Sequence, residues 1–172
     1  MNTVAPRMPS LARSVSWLLL LVTAGLLVGC ASQVAYINGT TVEDNERNRN
    51  IIKTIEQYRV AVEKKDIATL VSLASKNYWD DSGTPTGSDD FGYDGLREIL
   101  QNRFKRADAI RYTMKYMKVK PLSANRAAVD VMLDATYTIN TEHGTPQRLD
   151  FRDQNEMVLE WDGKRWLFLS GM

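Results

Sequence analysis

The chain has 172 residues, enough for one domain, with 22 basic residues against 21 acidic, one histidine and one cysteine. Such balanced charge gives no electrostatic case for nucleic acid or for an anionic membrane surface as partner. A single thiol excludes a disulfide scaffold, and one thiol with one histidine is too few ligands for a zinc site; no metal or other cofactor is expected.

The first segment does not read as part of the domain. Residues 1–29 carry Arg7 and Arg13, no acidic residue, and the apolar run VSWLLLLVTAGLLV from Val15 to Val28. The run is shorter than the roughly 20 residues a membrane-spanning helix needs. A basic start, an apolar middle and a small-residue end describe an export signal. It closes on LVGC, Leu27 to Cys30, which resembles a bacterial lipobox. That resemblance implies cleavage before Cys30, lipidation of its thiol and new amine, and attachment to the membrane through the acyl chains. The expected location is extracytoplasmic, on the periplasmic side of the outer membrane if the source is Gram-negative. Removing the leader leaves 20 basic against 21 acidic residues. The expected organisation is a signal peptide over 1–29, a lipidated cysteine and polar tether over 30–46, and a domain over 47–172.

Helical spacing begins near Glu46. Ile51, Ile55, Tyr58 and Val62 fall at i, i+4, i+7 and i+11 on one stripe. Asp66 is placed to cap a second, short helix with Ile67, Leu70, Val71 and Ala74 inward. A short strand is expected near Tyr78 and Trp79, followed by an acidic, glycine-rich connection. Asp94 or Gly95 then caps a third helix carrying Leu96, Ile99, Leu100 and Phe104. From Ile110 the period becomes two. Ile110, Tyr112, Met114 and Tyr116 alternate and then change phase at Met117, which predicts a bulge. Val129 to Ile139 and Leu149 to Trp161 give two further long strands. Asp162-Gly163 predicts a tight hairpin into the last one.

The predicted class is α+β, with three N-terminal helices on a curved antiparallel sheet of four long strands plus one short strand. This order resembles the NTF2-like (SnoaL-like, cystatin-like cone) superfamily. The segments that carry the likeness are AVEKKDIATLVSLASKNYW and the closing WDGKRWLFLSGM. The resemblance implies a cone with an internal pocket and pairing of two copies through the sheet. Its scaffold hosts many functions, so activity has to be read from side chains.

The acidic connection reads as loop and cap. An EF-hand register from Asp90 would put Gly92 at position 3 and Gln101 at position 12, so two oxygen ligands, including the bidentate carboxylate, are missing. Asp80 and Asp81 are adjacent and point oppositely on an extended segment. His143 sits in a hairpin turn without a second ligand. Asp130 and Asp134 share a solvated face with Thr136 and Thr138. Asp153 and Asn155 have the parity of Leu149, Phe151 and Met157, which places them inward unless the strand bulges or leaves the core. Tyr58, Tyr78, Trp79, Tyr112, Asp153 and Asn155 are therefore the expected lining of a ligand pocket. The expected function is a non-catalytic, lipid-anchored domain that binds a small apolar ligand or an envelope protein. One alternative is an isomerase or dehydratase with Asp153 or Asp80 as base; another is an assembly subunit of an envelope complex.

Overall fold

The computed structural model describes residues 33–82, 87–140 and 145–172. Cys30 with its leader, and His143, lie outside them. Helix α1 spans Glu46–Glu63, and the predicted stripe is its buried face: Ile51, Ile55, Tyr58 and Val62 are each at most 5% exposed. The Asn45 side chain caps it by accepting from the Asn48 N–H at 2.9 Å. A left-handed Lys65 (φ 54°) turns the chain, and Asp66 caps α2, Ile67–Leu73, by accepting from the Thr69 N–H at 3.0 Å. Both caps relieve helix-end donors that would otherwise lack partners.

Two expected boundaries move. The polar stretch assigned to the tether is partly built into the domain. The Asp44 N–H bonds the Ala35 carbonyl at 2.7 Å, Thr41 Oγ1 bonds the Met117 carbonyl, and Val42 is only 2% exposed. One buried valine, an internal backbone bond and one hydroxyl bond to β3 suffice to dock a polar segment that shows no period. The acidic connection, in turn, contributes a strand. β1, Trp79–Asp80, pairs antiparallel with β2, Phe91–Gly92. Helix α3, Tyr93–Lys105, follows at once, so its N-cap is Gly92 rather than Asp94 or Gly95. Asp94 sits in the first turn, where a negative charge is favoured.

The main sheet has the order β3 (Ala107–Pro121), β4 (Arg126–Asn140), β5 (Pro146–Trp161), β6 (Trp166–Ser170), all antiparallel. The predicted bulge is present between Tyr116 and Lys118, and another lies at Ala107/Ala109. Asp162 and Gly163 form the β5–β6 turn, with Gly163 at φ 99° and Asp162 Oδ1 accepting from the Lys164 and Arg165 N–H groups at 2.8 Å. The helices cover one face, and Ile51, Ile55, Leu70, Leu96, Val129, Val131, Met157, Leu159 and Phe168 are its fully buried centre.

The chain beyond β6 is held closely. Gly171 has φ 82°, and a Cβ there would lie 2.5 Å from the Glu156 carbonyl oxygen. Gly171→Ala is therefore expected to lower stability by at least the ~1–3 kcal/mol of a strained backbone residue, read as a fall in the urea midpoint at unchanged slope.

Candidate ligand-binding site

Cross-strand rows describe the concave face. Because the β4–β5 register runs unbroken from Arg126↔Glu160 to Asn140↔Pro146, parity is preserved throughout. Row by row, Ile110 faces Tyr137 and then Leu149; Tyr112 faces Ala135 and Phe151; Met114 faces Leu133 and Asp153; Tyr116 faces Val131 and Asn155. Burial falls steadily toward β5. Ala135 is 3% exposed, whereas Leu149 is 44% and Phe151 50% exposed. The cause is length: β6 pairs with β5 only from Val158 to Trp161. From Pro146 to Gln154 every β5 residue is exposed.

This geometry sorts the expected pocket residues. Tyr58, Tyr78 and Tyr112 are inside, at 4%, 2% and 7% exposure; Tyr58 and Tyr112 are packed core, while Tyr78 and Trp79 border an open hollow beside Gly92 and Tyr93. Tyr58 meets Tyr112 edge-on at 6.1 Å between centroids and Phe168 at 5.2 Å. Trp79 is 57% exposed, because strand alternation that sends Tyr78 inward sends its neighbour out. Its indole lies over Gly92. Asp153 has the inward parity but is exposed, since its end of β5 runs past the helices; its Oδ1 accepts from the Gln154 N–H of its own strand at 2.8 Å. Asn155 is half-buried, and its Nδ2 donates to the Gly171 carbonyl at 3.1 Å.

Asp80 is committed too. Its Oδ2 accepts from the Tyr78 hydroxyl at 2.7 Å and the Gly171 N–H at 3.2 Å, while Oδ1 accepts from the Ser82 N–H at 2.9 Å. Tyr78 Oη in turn accepts from the Met172 N–H at 3.3 Å, and Arg103 Nη1 donates to the Met172 carbonyl at 3.4 Å. The residues proposed as bases thus have different work: Asp80 clamps the chain after β6, and Asp153 ties up a backbone donor on the open strand.

Two residues outside the expected lining lie beside it. Tyr137 continues the apolar face of β4 as a half-buried residue beside Leu149. Arg103 lies three residues after Leu100 and seven after Leu96, at the exposed margin of the α3 stripe. Its guanidinium carbon is 5.7 Å from the Phe91 ring centre, and its charge acts on Tyr58, Tyr78, Tyr112 and Tyr137. The result is an apolar shelf of Tyr137, Leu149 and Phe151 that continues the row of buried Tyr112 and Ile110.

Burial holds these phenols neutral. Loss of hydration is the largest cause at each, pushing Tyr58 up to about 12, while Tyr78 and Tyr112 rise further; Arg103 partly opposes it. A raised folded value means the stabilisation is complete below about 10, the ordinary tyrosine range, and is lost as pH climbs past it. Absorbance titration at 295 nm should show Tyr58, Tyr78 and Tyr112 ionising only together with unfolding. Asp80→Ala should cost about 1–3 kcal/mol, the range for an orphaned buried partner, and should raise amide exchange at Gly171 and Met172 first.

No family model matches this sequence, and no curated protein matches it either. Solved structures do. A conserved protein from Planctomyces limnophilus aligns at TM-score 0.62 and 14% identity over 73% of this chain and 92% of its own. A ketosteroid isomerase-like protein from Erwinia carotovora atroseptica aligns at 0.59 and 19% over 74% and 95%. A type 2 hexachlorocyclohexane dehydrochlorinase aligns at 0.61 and 13% over 73% and 82%. The fold is NTF2-like. At such identities the likeness reaches no further than the fold, and the similar structures include both enzymes and proteins without a stated activity.

Proposed function

We propose that this NTF2-like domain is a lipid-anchored, extracytoplasmic, non-catalytic binding module that takes a small apolar ligand on the open β5 side of its cone. The observation that carries the reading is the exposure of Leu149 and Phe151 on the same face as buried Leu133 and Ala135. Covering them continues the core outward and gains about 25 cal/mol per Å² of apolar area removed from water. Arg103, whose charge reaches Tyr137 at the edge of that surface, would supply a polar anchor of the kind small-molecule sites use.

The enzymatic alternative draws less support. A general base needs a free carboxylate facing the substrate, and the two candidates are occupied as described: Asp80 by three donors, Asp153 by its own strand. Pairing of two copies through the outer sheet face would bury the Arg152–Asp134 pair and the Lys120 contacts to Asp130 and Glu156. Taking such ion pairs out of water is unfavourable unless each is rematched. Anchoring rests on the LVGC motif at Cys30.

Native mass spectrometry of the full chain, released from detergent, tests binding and anchoring together. Lipidation adds mass that survives denaturation and is lost in Cys30→Ser. A bound ligand adds mass that does not survive denaturation. Leu149→Ser with Phe151→Ser should remove the second mass while shifting stability by no more than about 0.5 kcal/mol per exposed site. An empty species from both proteins would overturn ligand binding.

A further inference from the structure

We propose a second binding site, for a carboxylate-bearing oligosaccharide, in the trough between α1, α2 and the β5–β6 turn. It lies apart from the shelf at Leu149 and Phe151 and does not depend on it.

Two adjoining hollows, of about 540 and 300 Å³, share Lys53, Gln57 and Arg165 and so form one channel. Along α1 it runs from Asn50 to Lys64, about 20 Å at the helical rise of 1.5 Å per residue. Thr69 and Ser72 of α2 form the facing wall at one end, and Lys164, Arg165 and Trp161 at the other. That shape suits an extended ligand rather than a compact one.

The charges in the trough are unequal in their availability. Its two carboxylates are already engaged. Asp66 accepts from the Thr69 N–H and hydroxyl, at 3.0 and 2.6 Å, and Glu56 takes Arg59 Nε at 2.8 Å together with the Tyr116 hydroxyl. Its cations are not. Among the described residues Lys53, Lys64 and Lys164 form no ion pair. Arg165 spends one nitrogen on the Ser72 carbonyl, at 3.1 Å, which pins its guanidinium across the channel with other donors unused. Four cations line the trough against two carboxylates, one of which is paired with Arg59, so the net charge is positive and the ligand that fits is an anion. A guanidinium fork and ammonium groups match carboxylates well.

The other lining groups favour a sugar over an acidic peptide. Trp161 is 37% exposed and rests on Trp166 at 5.8 Å between centroids. Trp166 is 5% exposed and is held from another side by Arg47, 5.2 Å from its ring. The outer indole is therefore a braced flat surface, suited to the C–H face of a pyranose. The exposed amides of Asn50 and Gln57 beside it offer paired donors and acceptors for ring hydroxyls. A peptide would instead want discrete apolar sockets for its side chains.

The test is tryptophan fluorescence titration of the full chain in detergent with three probes: tetragalacturonate, neutral chitotetraose and tetraglutamate. Tetragalacturonate should bind saturably, and binding should weaken as ionic strength rises. Lys53→Gln with Lys164→Gln should weaken it about tenfold or more, whereas Lys115→Gln with Lys118→Gln, on β3, should leave it within about twofold. Trp161→Phe should remove most of the fluorescence change, with calorimetry reporting the residual affinity. Chitotetraose should not bind. The proposal falls if tetragalacturonate fails to bind, if both double variants weaken binding equally, or if tetraglutamate binds as tightly.

Discussion

Strand length governs this molecule. β4 and β5 run 15 and 16 residues, while β6 supplies five. The helices and β6 enclose one end of the long hairpin and leave the other uncovered. At the enclosed end Val129, Met157, Leu159 and Phe168 are sealed completely. At the other end the same alternation continues, and the side chains it turns inward find no lid. Every unusual exposure on the concave face follows from that mismatch, including the apolar shelf and the position of Asp153.

The enclosed end is closed by polar groups as much as by apolar ones. Asp80 and Tyr78 at β1, Asn155 on β5 and Arg103 on α3 come from three parts of the chain and meet on the two residues after β6. Each bond is modest alone. Together they hold a segment whose glycine lies against the β5 backbone where no side chain fits. A carboxylate that looked like catalytic equipment is thus explained by what it fastens.

Periodicity made most of the fold legible. The α1 stripe, the Asp66 cap, the phase change at Met117 and the Asp162-Gly163 turn are all local signals, and each holds in three dimensions. The errors came where the decisive contact was distant in sequence. Val42 is buried by elements far along the chain, and the Phe91–Gly92 strand exists through its pairing with Trp79–Asp80. The parity of Asp153 was right and its burial wrong, because parity reports the face and not what stands opposite it. Arg103 is exposed, and its bond to the Met172 carbonyl, 69 residues away in sequence, ties it to the enclosed end.

The uncovered stretch of β5 has another consequence, for crowding. Among the described residues, no strand lies alongside β5 from Pro146 to Met157 on the side away from β4. A bare edge of that kind invites a neighbour's strand. Pro146 offers no N–H there, and Asp153 both occupies the Gln154 N–H and sets a charge on the face a partner would have to dehydrate. The proposed lipid anchor would confine such chains to two dimensions, where they meet far more often than in free solution, and the charge of Asp153 would then count against edge-to-edge ribbons.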